Sequence, residues 1–227
     1  VGLTPVQWIA ARATLPEDLA PLVASAETPG ALVDALLGQA RPIEAVRCVA
    51  SALPPREGAW WAWSNAKQTA QVLHGAALPP LLKLCLDAVE RWVSAPTDEH
   101  RRSAWSAGDA LGTSTAAGAA AAAVFLSGGS IASAGVAEMP PPPGVCGTMV
   151  STGVILAVST APPDTHAARW AAAVQQGQAI VEQLGGWEAA IAATWRVLDA
   201  QQQAFVKSST PPASEPAPSA ASGGTAS

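Results

Sequence analysis

A chain of 227 residues with 49% hydrophobic residues is long enough to bury a core, while charged residues make up only 13% of it. Twelve Lys and Arg against seventeen Asp and Glu leave a formal charge of −5, which argues against a phosphate-binding surface and so against nucleic acid as a partner. With nine Trp, two Phe, no Tyr and a great excess of Ala, the composition points to an all-α protein whose helices are lined with Ala and studded with indoles.

The first segments are short. Thr4-Pro5 offers an N-cap and first helical residue ahead of Val6, Ile9 and Ala13. Pro16-Glu17-Asp18 restarts a helix with acids in its first turn, and Thr28-Pro29 repeats the cap chemistry before Leu32, Leu36 and Leu37. Arg41-Pro42 opens a helix with an apolar stripe through Ile43, Val46, Val49, Ala50 and Leu53, stopped by Pro54-Pro55.

A helix over 57–73 carries Trp60, Trp61 and Trp63. Three indoles within four residues cannot share one face, because each residue turns the helix by about 100°. Trp60 and Trp63 lie together and Trp61 points elsewhere. Either neighbouring helices bury both faces, or one indole sits at a partner surface, where Trp and Arg are favoured anchors. Trp60, Trp61, Trp63, Lys67, Trp92, Arg101 and Arg102 are the candidate interaction residues, with Arg56 close by in sequence.

Pro79-Pro80 begins the clearest amphipathic helix, with Leu81, Leu82, Cys85, Ala88, Val89, Trp92 and Val93 as its expected apolar face. Thr97 caps the next, which holds Arg101, Arg102 and Trp105 and ends near Gly112. Between Asp109 and Asp164 the only charge is Glu138. Ala116 to Leu126 and Val145 to Ala161 are expected to be helices buried in the protein, joined across a rigid Pro140 to Pro143 run. Small residues such as Gly147, Ser151 and Ala157 suit a central helix that others approach closely. Pro162-Pro163-Asp164 starts a last region, a hairpin or one broken helix, with Trp170, Ile180, Trp187 and Trp195.

The expected organisation is one helical domain over 1–206, an irregular bundle or stack of short helices. Within it, 1–40 holds the short N-terminal helices, 41–161 the middle and 162–206 the C-terminal helices. A Ser/Pro/Ala-rich tail over 207–227 is expected to be disordered.

Local catalytic motifs are weak. Ser64-Asn65-Ala66-Lys67 matches S-x-x-K, in which a lysine one turn away deprotonates a serine, but the S-D-N and K-T-G elements of such enzymes are absent. His74, His100 and His166 fall on different helices without H-E-x-x-H or C-x-x-C spacing. Neither Gly128-Gly129 nor Gly185-Gly186 is followed by the Lys-Ser/Thr of a phosphate-binding loop. No catalytic residue, metal or cofactor is therefore expected. Cys48, Cys85 and Cys146 are odd in number and widely spaced, as in a reducing compartment, and Val1 to Pro5 has neither the basic start nor the apolar run of a secretory signal. Both features lead us to expect a cytoplasmic protein, and Val1, taken as an alternative start codon, a bacterial one.

Several stretches together resemble an uncharacterised bacterial helical domain family. They are Glu44-Ala45-Val46-Arg47, Ala59-Trp60-Trp61-Ala62-Trp63, Arg91-Trp92-Val93, Arg101-Arg102, Ser127-Gly128-Gly129-Ser130 and Pro140-Pro141-Pro142-Pro143, within residues 41–161. Two positions depart from the family's pattern: Trp63-Ser64 stands in place of a cysteine-containing version, and Leu126 in place of an aromatic residue. The resemblance implies a helical fold, no catalytic residues, and genes often placed near those of type VI secretion. The leading expectation is a non-enzymatic helical adaptor or accessory protein acting on an unknown protein partner, with a component of such a secretion system as the candidate the resemblance implies. A membrane-associated hairpin of 115–126 and 145–161 is one alternative, disfavoured by the length and polarity of those segments. An enzyme with a discontinuous site is the other.

Overall fold

The computed structural model describes residues 2–133 and 135–209. Among these residues the regular structure is helical throughout, with no strand. The helices are α1 (Pro5–Arg12), α2 (Ala20–Ser25), α3 (Pro29–Gly38), α4 (Pro42–Ala52), α5 (Pro55–His74), α6 (Pro80–Ser94), α7 (Asp98–Leu111), α8 (Ala116–Phe125), α9 (Val145–Thr160), α10 (His166–Gln183) and α11 (Trp187–Ser209). Single 3-10 turns at Glu17–Leu19 and Pro163–Thr165 lead into α2 and α10.

The helix starts follow from cap chemistry. Thr4 closes a full capping box with Gln7, and the hydroxyls of Thr28, Thr97 and Thr115 accept the amides of Ala31, His100 and Gly118. Pro occupies the first turn of α1 and of α3 to α6, where its missing N–H costs nothing. α10 and α11 are separated by Gly185 and Gly186, both at positive φ, so the C-terminal region is a broken pair rather than one rod.

Two buried clusters share walls. The larger joins α1, α3, α4, α9 and α10 around Ile9, Leu32, Val46, Val49, Trp61 and Val154. The smaller joins α6 and α7 around Cys85, Val89, Trp92 and Ala104. Both draw on α5 and α8: Trp61 and Ala120 face the larger cluster, whereas Ala66, Ala117 and Val124 face the smaller. A helix between two cores must be apolar all round. That accounts for α8, in which every residue but Ala116 is buried, and for an indole on more than one face of α5.

Two sequence expectations need correction. The buried face of α6 does not include Leu81, which is half exposed, and instead includes Leu86. α11 runs through Ser209, past the expected tail boundary at 207, since Ala204, Phe205, Val206 and Lys207 contain no helix breaker. The rest of the expected tail, 210–227, lies outside the described residues.

Candidate functional site

The tryptophan cluster is divided between structural and exposed positions. Trp61 is fully buried, and its indole Nε1–H donates to the carbonyl of Ala173 on α10 at 2.9 Å. Trp63 is half-buried and donates to the carbonyl of Leu86 on α6 at 2.9 Å. Trp92 is buried in the smaller cluster. Trp60 remains 37% exposed, so of the trio it is the one positioned to meet a partner.

The expected cationic anchors are mostly occupied within the chain. Lys67 lies over the Trp63 ring, its Nζ 4.4 Å from the centroid, and its ammonium reaches Glu90 at 3.6 Å. Ser64, its partner in the S-x-x-K pattern, instead accepts from Gln176 on α10, which also accepts from Asn65. Arg101 is buried and donates to the carbonyls of Phe125 and Ser130 at 2.7 and 2.8 Å, while gripping Asp98 at 2.6 Å. Arg102 also takes Asp98 and reaches the carbonyls of Ser130 and Ala132. These two arginines bind the segment that leaves α8 to the outer face of α7. Their guanidinium groups hold the Asp98 carboxyl below the usual carboxylate range, mainly through the hydrogen bonds from Arg101 and then Arg102. Because Trp61, Trp92 and Arg101 are engaged inside the fold, they are structural members of the chain and not exposed anchors.

The histidines and cysteines among the described residues do not gather into a site. Among the described residues no group of three His, Cys, Asp or Glu side chains is placed to hold a metal ion. His100 and His166 each face a backbone carbonyl, of Ala95 and Ala161. All three cysteines are buried, and burial pushes each thiol up to about 12.

An unexpected surface lies at the tip of the hairpin formed by α5 and α6. Val72 and Leu73 near the end of α5 are 52% and 43% exposed, and Leu81 and Leu84 at the start of α6 are 50% and 49% exposed. The sequence carried a signal for it. Leu81, Leu82, Leu84, Cys85 and Leu86 make five apolar residues in six, an arc too wide for one neighbouring helix to cover. Lys83 and Asp87 pair with each other beside it at 2.6 Å, so little unbalanced charge borders the exposed leucines. Trp195 on α11 is a further exposed apolar side chain, at 52%.

No curated protein and no solved structure matches this chain. The sequence profile of one family matches residues 32–181, which takes in α4 to α9 whole together with most of α3 and α10. The chain belongs to that family, a family of unknown function designated DUF6931.

Proposed function

We propose that this chain is a non-enzymatic helical adaptor that binds a protein partner through the tip of its α5–α6 hairpin. The observation that carries the reading is the exposure of Val72, Leu73, Leu81 and Leu84, at 43–52%, on two helices whose other faces are firmly packed. Aliphatic side chains held out by a rigid hairpin favour a partner that offers an apolar groove or helix face. The family resemblance adds the finer proposal of a bacterial, cytoplasmic protein whose partner is a component of type VI secretion or a similar machine.

The alternatives draw less support. A membrane hairpin of α8 and α9 would need lipid-facing surface, yet α8 is buried against protein along nearly all its length. Among the described residues no single helix is long and apolar enough to cross a membrane, although the bent pair of α9 and α10 meets that test jointly. A discontinuous catalytic site would need an acid, base or nucleophile in a cleft. The cavity described below is lined by no His, Asp or Glu and its cysteine is held as a neutral thiol, while the more open hollow between residues 127–141 and α11 holds one carboxylate, Glu138, with no histidine or cysteine in its lining.

The test is affinity capture of the tagged full chain from its native host, comparing wild type with Leu81→Ser/Leu84→Ser. The reading expects a discrete partner to be lost from the double variant while its Tm stays within about 2 °C of wild type, since exposed positions carry little folding energy. A partner retained at the wild-type level would refute it.

A further inference from the structure

Far from the hairpin tip, a cavity of about 280 Å³ opens where the end of α1, the outer face of α4, the start of α9 and α11 meet. Arg12 lies in its wall with Nε shut off from solvent and without a hydrogen-bond partner. Its guanidinium carbon stands 5.2 Å from the Trp8 ring, a contact that offsets part of the cost of holding a desolvated charge. Arg47, exposed on α4, also lines the cavity. Among the described residues neither arginine forms an ion pair, and the lining contains no Asp or Glu.

The backbone adds to this field. Gly144 enters α9 at φ +87, a conformation that favours glycine, and the guanidinium of Arg12 lies where a Cβ would stand. No side chain caps α9, and the amides of Cys146 and Gly147 have no partner among the described residues. Thr14, also on the rim, adopts φ +50, a left-handed conformation that a β-branched residue takes only at a cost. The same lining includes the aliphatic side chains of Leu53, Val150 and Val197. Cationic groups without a counter-charge and hydrocarbon in one lining describe an anion with a short apolar body. The size is at the lower end for a small-molecule site.

We propose that this cavity binds a small organic oxyanion, with Arg12 and Arg47 gripping a phosphate or carboxylate head and the aliphatic wall receiving its hydrocarbon part. α4 and α9 fall inside the residues matched by the family and α1 and α11 outside them, so the flanking helices complete the site. The inference is independent of the docking surface on α5 and α6.

The test is calorimetric titration of the full chain with monohexyl phosphate, hexanoate and, as the uncharged probe, hexanol, in a buffer without multivalent anions. Saturable binding of hexyl phosphate or hexanoate but not of hexanol is expected, and the tighter of the two identifies the head group. Arg12→Met and Arg47→Met should each weaken it roughly tenfold or more, the usual loss for a charge-assisted hydrogen bond. With no ligand present, Arg12→Met should melt no lower than wild type, because it removes an uncompensated charge and keeps the stem. Arg47 is exposed, so its variant reports on binding even if the Arg12 variant misfolds. Absence of binding by both anions, equal binding of hexanol, or affinity unchanged in Arg47→Met would each overturn the proposal.

Discussion

Trp61 on α5 and Gly177 on α10 are in direct contact: a Cβ added at Gly177 would stand 2.8 Å from Cζ2 of Trp61 and 2.5 Å from Cγ1 of Val49. The bare glycine backbone lets the indole pass between the helices, and the Nε1–H reaches the Ala173 carbonyl one turn earlier on α10. Gly177→Ala should therefore destabilise the fold by about 1–3 kcal/mol through overpacking, even though Ala is the better helix former. Trp61→Ala should cost about 3–5 kcal/mol by leaving a large cavity. Both are read from urea unfolding midpoints, and a Gly177→Ala protein as stable as wild type would mean that α10 does not sit where described.

The arginine pair on α7 makes a second prediction, about order rather than bulk. Arg101 supplies buried donors to Phe125 and Ser130, whereas Arg102 is 39% exposed at its side chain. Arg101→Ala should cost about 2–3 kcal/mol and speed amide exchange over residues 126–133, while Arg102→Ala should cost below about 1 kcal/mol. Arg101→Lys should recover little, since one ammonium cannot reproduce the planar fork that spans Asp98 and two carbonyls. Hydrogen-exchange mass spectrometry of the three variants checks the order.

Asp98 gives the same cluster a pH dependence. Its folded pKa is depressed, so its contribution is complete above the unfolded value of about 3.9 and is lost as pH falls through the lower folded value. The Tm difference between wild type and Asp98→Asn should be constant above about pH 5 and shrink toward pH 2. The carboxylate is largely exposed, so the difference should be small. A difference that grew on acidification would have the wrong sign for this pairing.

Much of the fold was legible because its punctuation is local. Thr-Pro and Pro-Pro steps marked the helix starts within a residue or two, and the charge-free stretch announced the buried α8, whereas α9 is buried along one face only. The roles of Trp61 and Arg101 were not legible, because their partners, Ala173 and Phe125, are 112 and 24 residues away. The α5–α6 tip was misread at Leu81 because periodicity gives the centre of an apolar face, not how much of its width a neighbour covers. The cavity beside α9 was invisible for a related reason, since Arg12, Arg47 and Gly144 converge only once four helices have docked.

Burial of the thiols can be checked without mutation. Cys48, Cys85 and Cys146 are buried and held as thiols by desolvation. The native protein at pH 8 should leave Ellman's reagent nearly unreacted, and denaturant should release three thiols per chain. Rapid reaction of even one thiol in the native state would place that cysteine outside the core.

The claim that the chain works by contact through the α5–α6 tip is tested most directly by crosslinking in living cells of the native host. A photoreactive residue would replace Leu84, and in a parallel strain Glu182, which is exposed on α10. The account predicts one discrete protein adduct from position 84 and none from position 182. The same adduct from both positions, or none from position 84 in a protein that folds normally, would contradict it.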